Sequence, residues 1–319
     1  MNILYIDQKY RLEEAYMYPY YAAVYRELKK IHNVILEENT HIKDISHVLK
    51  KYNISFDCII FGLGYFAQNS PHYWQKITGL DNLQLPVVAM LHKPQNSLQE
   101  KLNFCKINKI DILVDPDITY RDHATQVASR AHRTWFTADP KVFYPRNIEK
   151  KYDIGFSGAL HGGAKLKGPP QNIRPRVYNL LVQNGSYNMF WNGSDSIQPR
   201  ISNVDEYATY ICQSRAWLST SGPLNCIGPR YFEVMMSKTL LVCNKMPLQY
   251  GDIFIDGKNC LIFENDLSDL IEKLDFYLNN QDELNRLTDA AYDLVVNNYT
   301  WKHMAINLID EVEKLVKAG

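Results

Sequence analysis

The sequence has no excess of charge of either sign: 35 Lys and Arg balance 35 Asp and Glu over 319 residues. Without a basic field, nothing draws it to nucleic acid or to an anionic membrane. It also lacks any apolar run near the roughly 18 residues of a membrane span. No basic segment precedes the first apolar run, which ends at Asp7, so the N-terminus does not read as a signal peptide. Cysteine is present without a pattern. Cys58, Cys105, Cys212, Cys226, Cys243 and Cys260 show no C-x-x-C spacing, and several sit in apolar runs such as "DCIIF" and "LLVCN". They read as buried free thiols of a reducing compartment, with no metal site. Internal repeats and low-complexity tracts are missing too. These absences describe a cytoplasmic protein with no transmembrane segment and no nucleic-acid partner.

What is present is ordinary globular composition, 46% hydrophobic and 22% charged. The length suggests about two domains. Short apolar runs alternate with helix-like segments. Strands are expected at residues 2–6, 33–37, 56–64, 85–91 and 110–115. Helices are expected at 18–31, 41–52, 71–78, 97–108 and 120–131. Continuous apolar strands separated by helices indicate a parallel sheet covered on both faces. A break with two prolines and a charge run follows at "ADPKVFYPRNIEKKYD" (138–153). The pattern then restarts, with strands at 152–158, 187–193, 215–221, 239–244 and 260–265. A helix opened by a capping-type Asp is expected at 266–280, then a helical tail from about 281 to 317 interrupted near "NNYTW". The expected class is α/β, with two doubly wound Rossmann-like domains. The expected division is 1–145, 146–300 and a terminal helix at 301–319 that packs back on the first domain. In such sheets ligands bind beyond the carboxyl ends of the strands. The cleft between two facing domains is the default site.

The stretch "GPRYFEVMMSKTLLVCN" (228–244) sets Glu233 among bulky apolar residues, three positions after Arg230. A glutamate is rarely buried unless paired. Pro229 stands where a helix begins, a position proline favours. Gly228 and the helix N-terminus offer free N–H groups to an anion. Arg230, Glu233 and Ser237 share one helical face, so they meet a ligand or form a solvated ion pair. A second candidate is "YDIGFSGALHGGAKLKGPPQNIRPRVYNLL". Its strand ends at Gly158, and Lys165, Lys167, Arg174 and Arg176 follow in a glycine-rich loop. Glycines permit close backbone approach and cations neutralise phosphate, although a charged surface loop reads the same way. His92 follows a strand in the first half and suits proton handling, unless it is structural. Glu13 and Glu14 are either bases or an acidic first helical turn. "DPD" at 115–117 spells a D-x-D but ends a strand, so no metal site is assigned to it. Tyrosine is abundant, 22 residues, and the cluster in "EAYMYPYYAAVYREL" fits a sugar-binding cleft or helix packing equally well.

The 228–244 stretch resembles the donor-binding segment of GT-B glycosyltransferases, especially glycosyltransferase family 4 and the group 1 glycosyl transferases. Their helix reads roughly P-R-x-F-E. Glu233 falls on the glutamate that holds the ribose of a nucleotide sugar, and Gly228 to Arg230 fall where the diphosphate binds. The run from "MPLQYGDIFIDGKNC" onward is similar to the family's C-terminal portion, and "TADPKVFYP" to its hinge. The resemblance covers residues 138 to 312 well and the first half loosely. It implies basic residues after an F-x-G turn, with Arg176 first and Lys165 second as phosphate partners, and a histidine such as His92 near the donor sugar. "FWNGSDS" (190–196) would border the nucleobase. The family's first glutamate of Glu-x7-Glu is replaced by Asn225, which can hydrogen-bond a hydroxyl but carries no charge. That leaves retention and inversion both open, with the family leaning to retention. The resemblance therefore implies a metal-independent glycosyltransferase without a cofactor. It would take a UDP- or GDP-sugar as donor and a glycan or glycoconjugate as acceptor. The alternatives are a GT-B nucleotide-sugar epimerase and a non-catalytic nucleotide-sugar-binding subunit.

Overall fold

The computed structural model describes residues 1–12, 20–67, 74–92, 96–116, 119–133, 137–158, 173–193, 201, 203–221, 227–247 and 250–317. The chain divides into two compact units, residues 1–135 with 301–319, and residues 136–300. The segment expected as a linker lies in the second unit, where Phe143 is buried and Arg146 bonds Thr209 and Asp205.

In the first unit, β1 (Asn2–Ile6), α1 (Lys9–Leu12), α2 (Tyr20–Ile31), β2 (Asn33–Glu37), α3 (Ile45–Tyr52) and β3 (Cys58–Phe61) come first. They are followed by β4 (Val87–Met90), α4 (Leu98–Ile107), β5 (Ile112–Asp115), α5 (Tyr120–Gln126) and β6 (Arg130–Arg133). The six strands are parallel in the order β2-β1-β3-β4-β5-β6. Every residue of β3, β4 and β5 is buried, as continuous apolar strands covered on both faces require.

The second unit holds β7 (Tyr152–Gly158), α6 (Ile173–Asn184), β8 (Met189–Gly193), α7 (Val204–Gln213), β9 (Ser214–Leu218) and α8 (Arg230–Met236). It continues with β10 (Leu240–Asn244), β11 (Leu261–Phe263), α9 (Leu270–Asn279) and α10 (Gln281–Asn298). Its five parallel strands run β11-β10-β9-β7-β8. The last helix, α11 (Trp301–Val316), returns to the first unit and packs on α2.

Both sheets share one winding. The first strand pairs outward with the second, then the chain reverses to place the third on its other side. The reversal opens a crevice between first and third strands at their carboxyl ends, the topological switch point where such sheets bind ligands. It lies between β1 and β3 in the first unit and between β7 and β9 in the second.

Three local expectations are corrected. Residues 74–78 are not helical, because tertiary partners take their polar groups. Thr78 N–H donates to the Lys43 carbonyl at 2.8 Å and Ile77 N–H to Asn108 Oδ1 at 2.8 Å. The helix expected at 120–131 stops at Gln126. Ala128 takes φ +58°, and Arg130 already begins β6. The helix expected from Asp266 starts at Leu270, because the Asp266 carboxylate accepts from Ser268 N–H and Leu267 takes φ +71°. Five of the six cysteines are buried free thiols, and Cys226 lies outside the described residues.

Candidate functional site

The switch point of the second unit is built from the ends of β7 and β9 and the start of α8. Gly158 closes β7 at φ +146°, a conformation that favours glycine. The Arg230 guanidinium lies against it: a Cβ on Gly158 would come within 2.9 Å of Nη1. Arg230 stands there because Pro229, at φ −57°, starts α8 directly before it. A Cβ on Gly228 would meet nothing within 4 Å among the described residues.

Glu233 lies one turn further along α8 and is half-buried. Its neighbours Tyr231, Phe232, Val234, Met235 and Met236 form the buried face. The pairing expected on the polar face is made through a third residue. Arg230 Nε donates to the Tyr207 hydroxyl at 2.9 Å, and that hydroxyl donates to Glu233 Oε2 at 3.2 Å. Tyr207 sits on α7, whose N-cap Asn203 accepts from Asp205 and Glu206 N–H. Desolvation raises the Glu233 carboxyl from 4.5 to about 7, against the opposing pull of Arg230 and the Tyr207 hydrogen bond. Burial also pushes the Tyr207 phenol up. Ser237 does not join the polar face. It is buried, and its hydroxyl donates to the Glu233 carbonyl at 2.8 Å, closing the helix.

The two arginines of α6 part company. Arg174 Nε donates to Thr220 Oγ1 at 2.6 Å, just past the end of β9, and its guanidinium covers the Phe156 ring of β7 at 5.9 Å. Arg176 is exposed, and its terminal nitrogens donate to the Asn265 and Asp266 carbonyls at 3.2 and 3.1 Å. Of the two, Arg174 is therefore the one at the ends of β7 and β9. Next to them, Asn244 Oδ1 accepts from Ser221 N–H at 2.9 Å, pinning the end of β9 to that of β10. Phe190 to Gly193 form the end of β8. Lys165, Asn225 and residues 194–196 lie outside the described residues, as do Glu13 and Glu14.

His92 lies two residues past β4 in the first unit and is 3% exposed. Its Nε2 is 3.1 Å from the Tyr21 hydroxyl, and its carbonyl accepts from Lys101 Nζ at 2.7 Å. The switch point of this unit holds a carboxyl group. Asp7 is fully buried and accepts from Gln8 N–H at 2.7 Å and Gly64 N–H at 3.1 Å. A Cβ on Gly62 or Gly64 would come within 2.2 Å of its oxygens. Burial raises Asp7 from 3.8 to about 7. Asp115, the first residue of the D-x-D spelling, bonds His123, and no group of three metal-ligating side chains occurs among the described residues.

Sequence reasoning missed Tyr207, Thr220 and Asp7. None belongs to a spaced motif. Asp7 carried one signal, an acid directly after an apolar strand in a sheet that was expected to bind at its strand ends.

Residues 172–310 match the family model described as glycosyl transferase-like. No curated protein matches the chain. Among solved structures, sucrose-phosphate synthase from Thermosynechococcus elongatus is 11% identical over 100% of both chains, with a TM-score of 0.61. A glycosyltransferase from Rickettsia africae is 13% identical over 100% of this chain and 99% of its own, with a TM-score of 0.59. Anabaena HepE in complex with UDP-glucose is 11% identical over 100% of both chains, with a TM-score of 0.57. The expected resemblance to glycosyl transferases is borne out by the family model over residues 172–310, and the solved structures bear out the fold: the chain has the GT-B fold, with two Rossmann-like units.

Proposed function

We propose that the protein is a glycosyltransferase that moves a sugar from a nucleoside-diphosphate sugar to a hydroxyl of a glycan or glycoconjugate. The cluster of Gly158, Arg230, Tyr207 and Glu233 at the switch point of the second unit carries this reading. Glu233 offers a carboxylate to the ribose hydroxyls. Arg230 and Arg174 supply fixed positive charge to the diphosphate, with Gly228 and Pro229 directly before Arg230 at the start of α8. Arg176 braces α6 against the loop after β11, and Lys165 is kept as a further candidate partner of the diphosphate. Charge developing on the departing nucleoside diphosphate meets groups already in place, which is how a preorganised site lowers a barrier. Two guanidinium groups at that position support a transfer that needs no metal. The UDP series is favoured because HepE, of the same fold, is described with UDP-glucose. The first unit takes the acceptor, with His92 handling the proton, and Asn225 contacts the donor sugar in a retaining reaction. The protein works in the cytoplasm.

Thermal unfolding against UDP, GDP, dTDP, ADP and CMP, with and without EDTA, tests the reading. A ligand that binds only the folded state stabilises it by about 2.7 kcal/mol at a hundred times its Kd. The expected result is a rise with one nucleoside diphosphate, unchanged by EDTA, followed by release of that nucleotide from its sugar. No shift with any nucleotide at millimolar concentration would mean that the fold has been kept without the donor site.

A further inference from the structure

The carboxyl end of β5 holds three side chains that the proposed transfer does not use. Asp115 closes the strand and is fully buried. Thr119 is exposed at the start of α5, and His123, one turn later, is 7% exposed. The bond from His123 N–H to the Thr119 carbonyl, 3.0 Å, sets the spacing that places both side chains on one helical face.

His123 Nδ1 lies 2.6 Å from Asp115 Oδ2, and its Nε2 lies 3.0 Å from Thr119 Oγ1. A carboxylate oxygen accepts, so the short contact places a ring proton on Nδ1. In the neutral form of the ring, the Nε2 lone pair faces the Thr119 hydroxyl. Tying α5 to β5 needs only the first of these contacts. The second turns an exposed hydroxyl toward a ring whose tautomer a buried carboxylate holds, the arrangement that activates hydroxyl nucleophiles on unrelated folds.

We propose that Thr119 is a nucleophilic hydroxyl, activated by the His123–Asp115 pair, that takes an acyl group from an activated ester. Thr119 Oγ1 forms a bond to the ester carbonyl carbon while its proton passes to His123 Nε2. The ester C–O bond breaks, and its electron pair leaves with the alcohol or phenol oxygen, which takes up that proton. Water then releases the acid from Thr119 by the same route, with His123 again as base. The carboxylate of Asp115 stabilises the imidazolium formed in each half. His123 serves as the base in each half, so the reactive class is esters with good leaving groups.

The test uses the full chain with p-nitrophenyl acetate and with a fluorophosphonate ester, and no nucleotide. The expected results are p-nitrophenol release above the buffer rate and a phosphonyl adduct that peptide mass spectrometry places on Thr119. Thr119→Ser keeps the adduct and Thr119→Val, a change on an exposed side chain, abolishes it. His123→Asn, confirmed folded by its melting curve, slows labelling by at least about 100-fold. An unlabelled Thr119 in the native chain overturns the proposal, as does a folded His123→Asn chain that labels at the native rate. The outcome stands apart from the donor-site reading, because no nucleotide sugar enters the experiment.

Discussion

The guanidinium of Arg230 lies over Gly158, so close that a Cβ on that glycine would come within 2.9 Å of Nη1. An arginine from the first turn of α8 is thereby held at the end of β7, on the switch point of the sheet. A methyl group at Gly158 pushes the guanidinium away and strains a backbone at φ +146°. Gly158→Ala is expected to lower stability by about 1–3 kcal/mol, the usual size of a strained backbone conformation. It should also abolish the melting shift given by the nucleotide that stabilises the native chain. A full shift in the variant would separate Gly158 from the site.

The two arginines of α6 are expected to behave differently. Arg174 meets Thr220 and Phe156 at the strand ends, whereas Arg176 bonds two carbonyls beyond β11. Arg174→Ala should weaken binding of the nucleoside diphosphate by about 1.5–3 kcal/mol, the range of a charge-assisted hydrogen bond. Arg176→Ala should shift it much less. Isothermal titration of both variants decides, and equal losses would place Arg176 on the ligand as well.

Two carboxyl groups bias stability toward acid. Burial raises Glu233 from 4.5 and Asp7 from 3.8, each to about 7. Between those values the folded chain binds protons that the unfolded chain releases, so stability falls as pH rises through that window. This is the reverse of a salt-bridged carboxylate. Urea titrations from pH 4.5 to 7.5 should show the negative slope. Glu233→Gln and Asp7→Asn should each flatten part of it.

The glycines around Asp7 are expected to be intolerant of any side chain. Gly64→Ala places a Cβ 2.2 Å from Oδ1 and should cost about 1–3 kcal/mol as overpacking. Combining it with Asp7→Ala, which vacates the space, should recover part of the loss. Additive losses in urea denaturation would show that the two residues do not compete for that space.

The order of strands and helices was legible because burial on both faces of a parallel sheet leaves continuous apolar runs, such as "CIIF", "VVAM" and "LLVCN". Of the segments that misled, one has backbone groups taken by distant partners, and the other two turn on a positive φ at Ala128 and Leu267. Residues 74–78 carry helix-like spacing, yet Asn108 and Lys43 claim their N–H groups. Propensity is read over a few neighbouring residues and cannot register a partner about thirty positions away.

The same division runs through the candidate site. Local sequence determined that Pro229 begins a helix, that Arg230 and Glu233 share a face of it, and that Gly158 ends a strand. These depend on dihedral limits and helical periodicity, which act between near neighbours. Only the tertiary structure decided that Arg230 rests on Gly158, 72 positions earlier, that Tyr207 joins it to Glu233, and that Arg174 rather than Arg176 reaches the end of β9. It likewise decided that Asp115, Thr119 and His123 align, since the strand-to-helix turn sets that geometry. Chain reversal at the switch point of the second unit brings the ends of β7 and β9 together, and a reversal leaves no periodicity in the residues it joins.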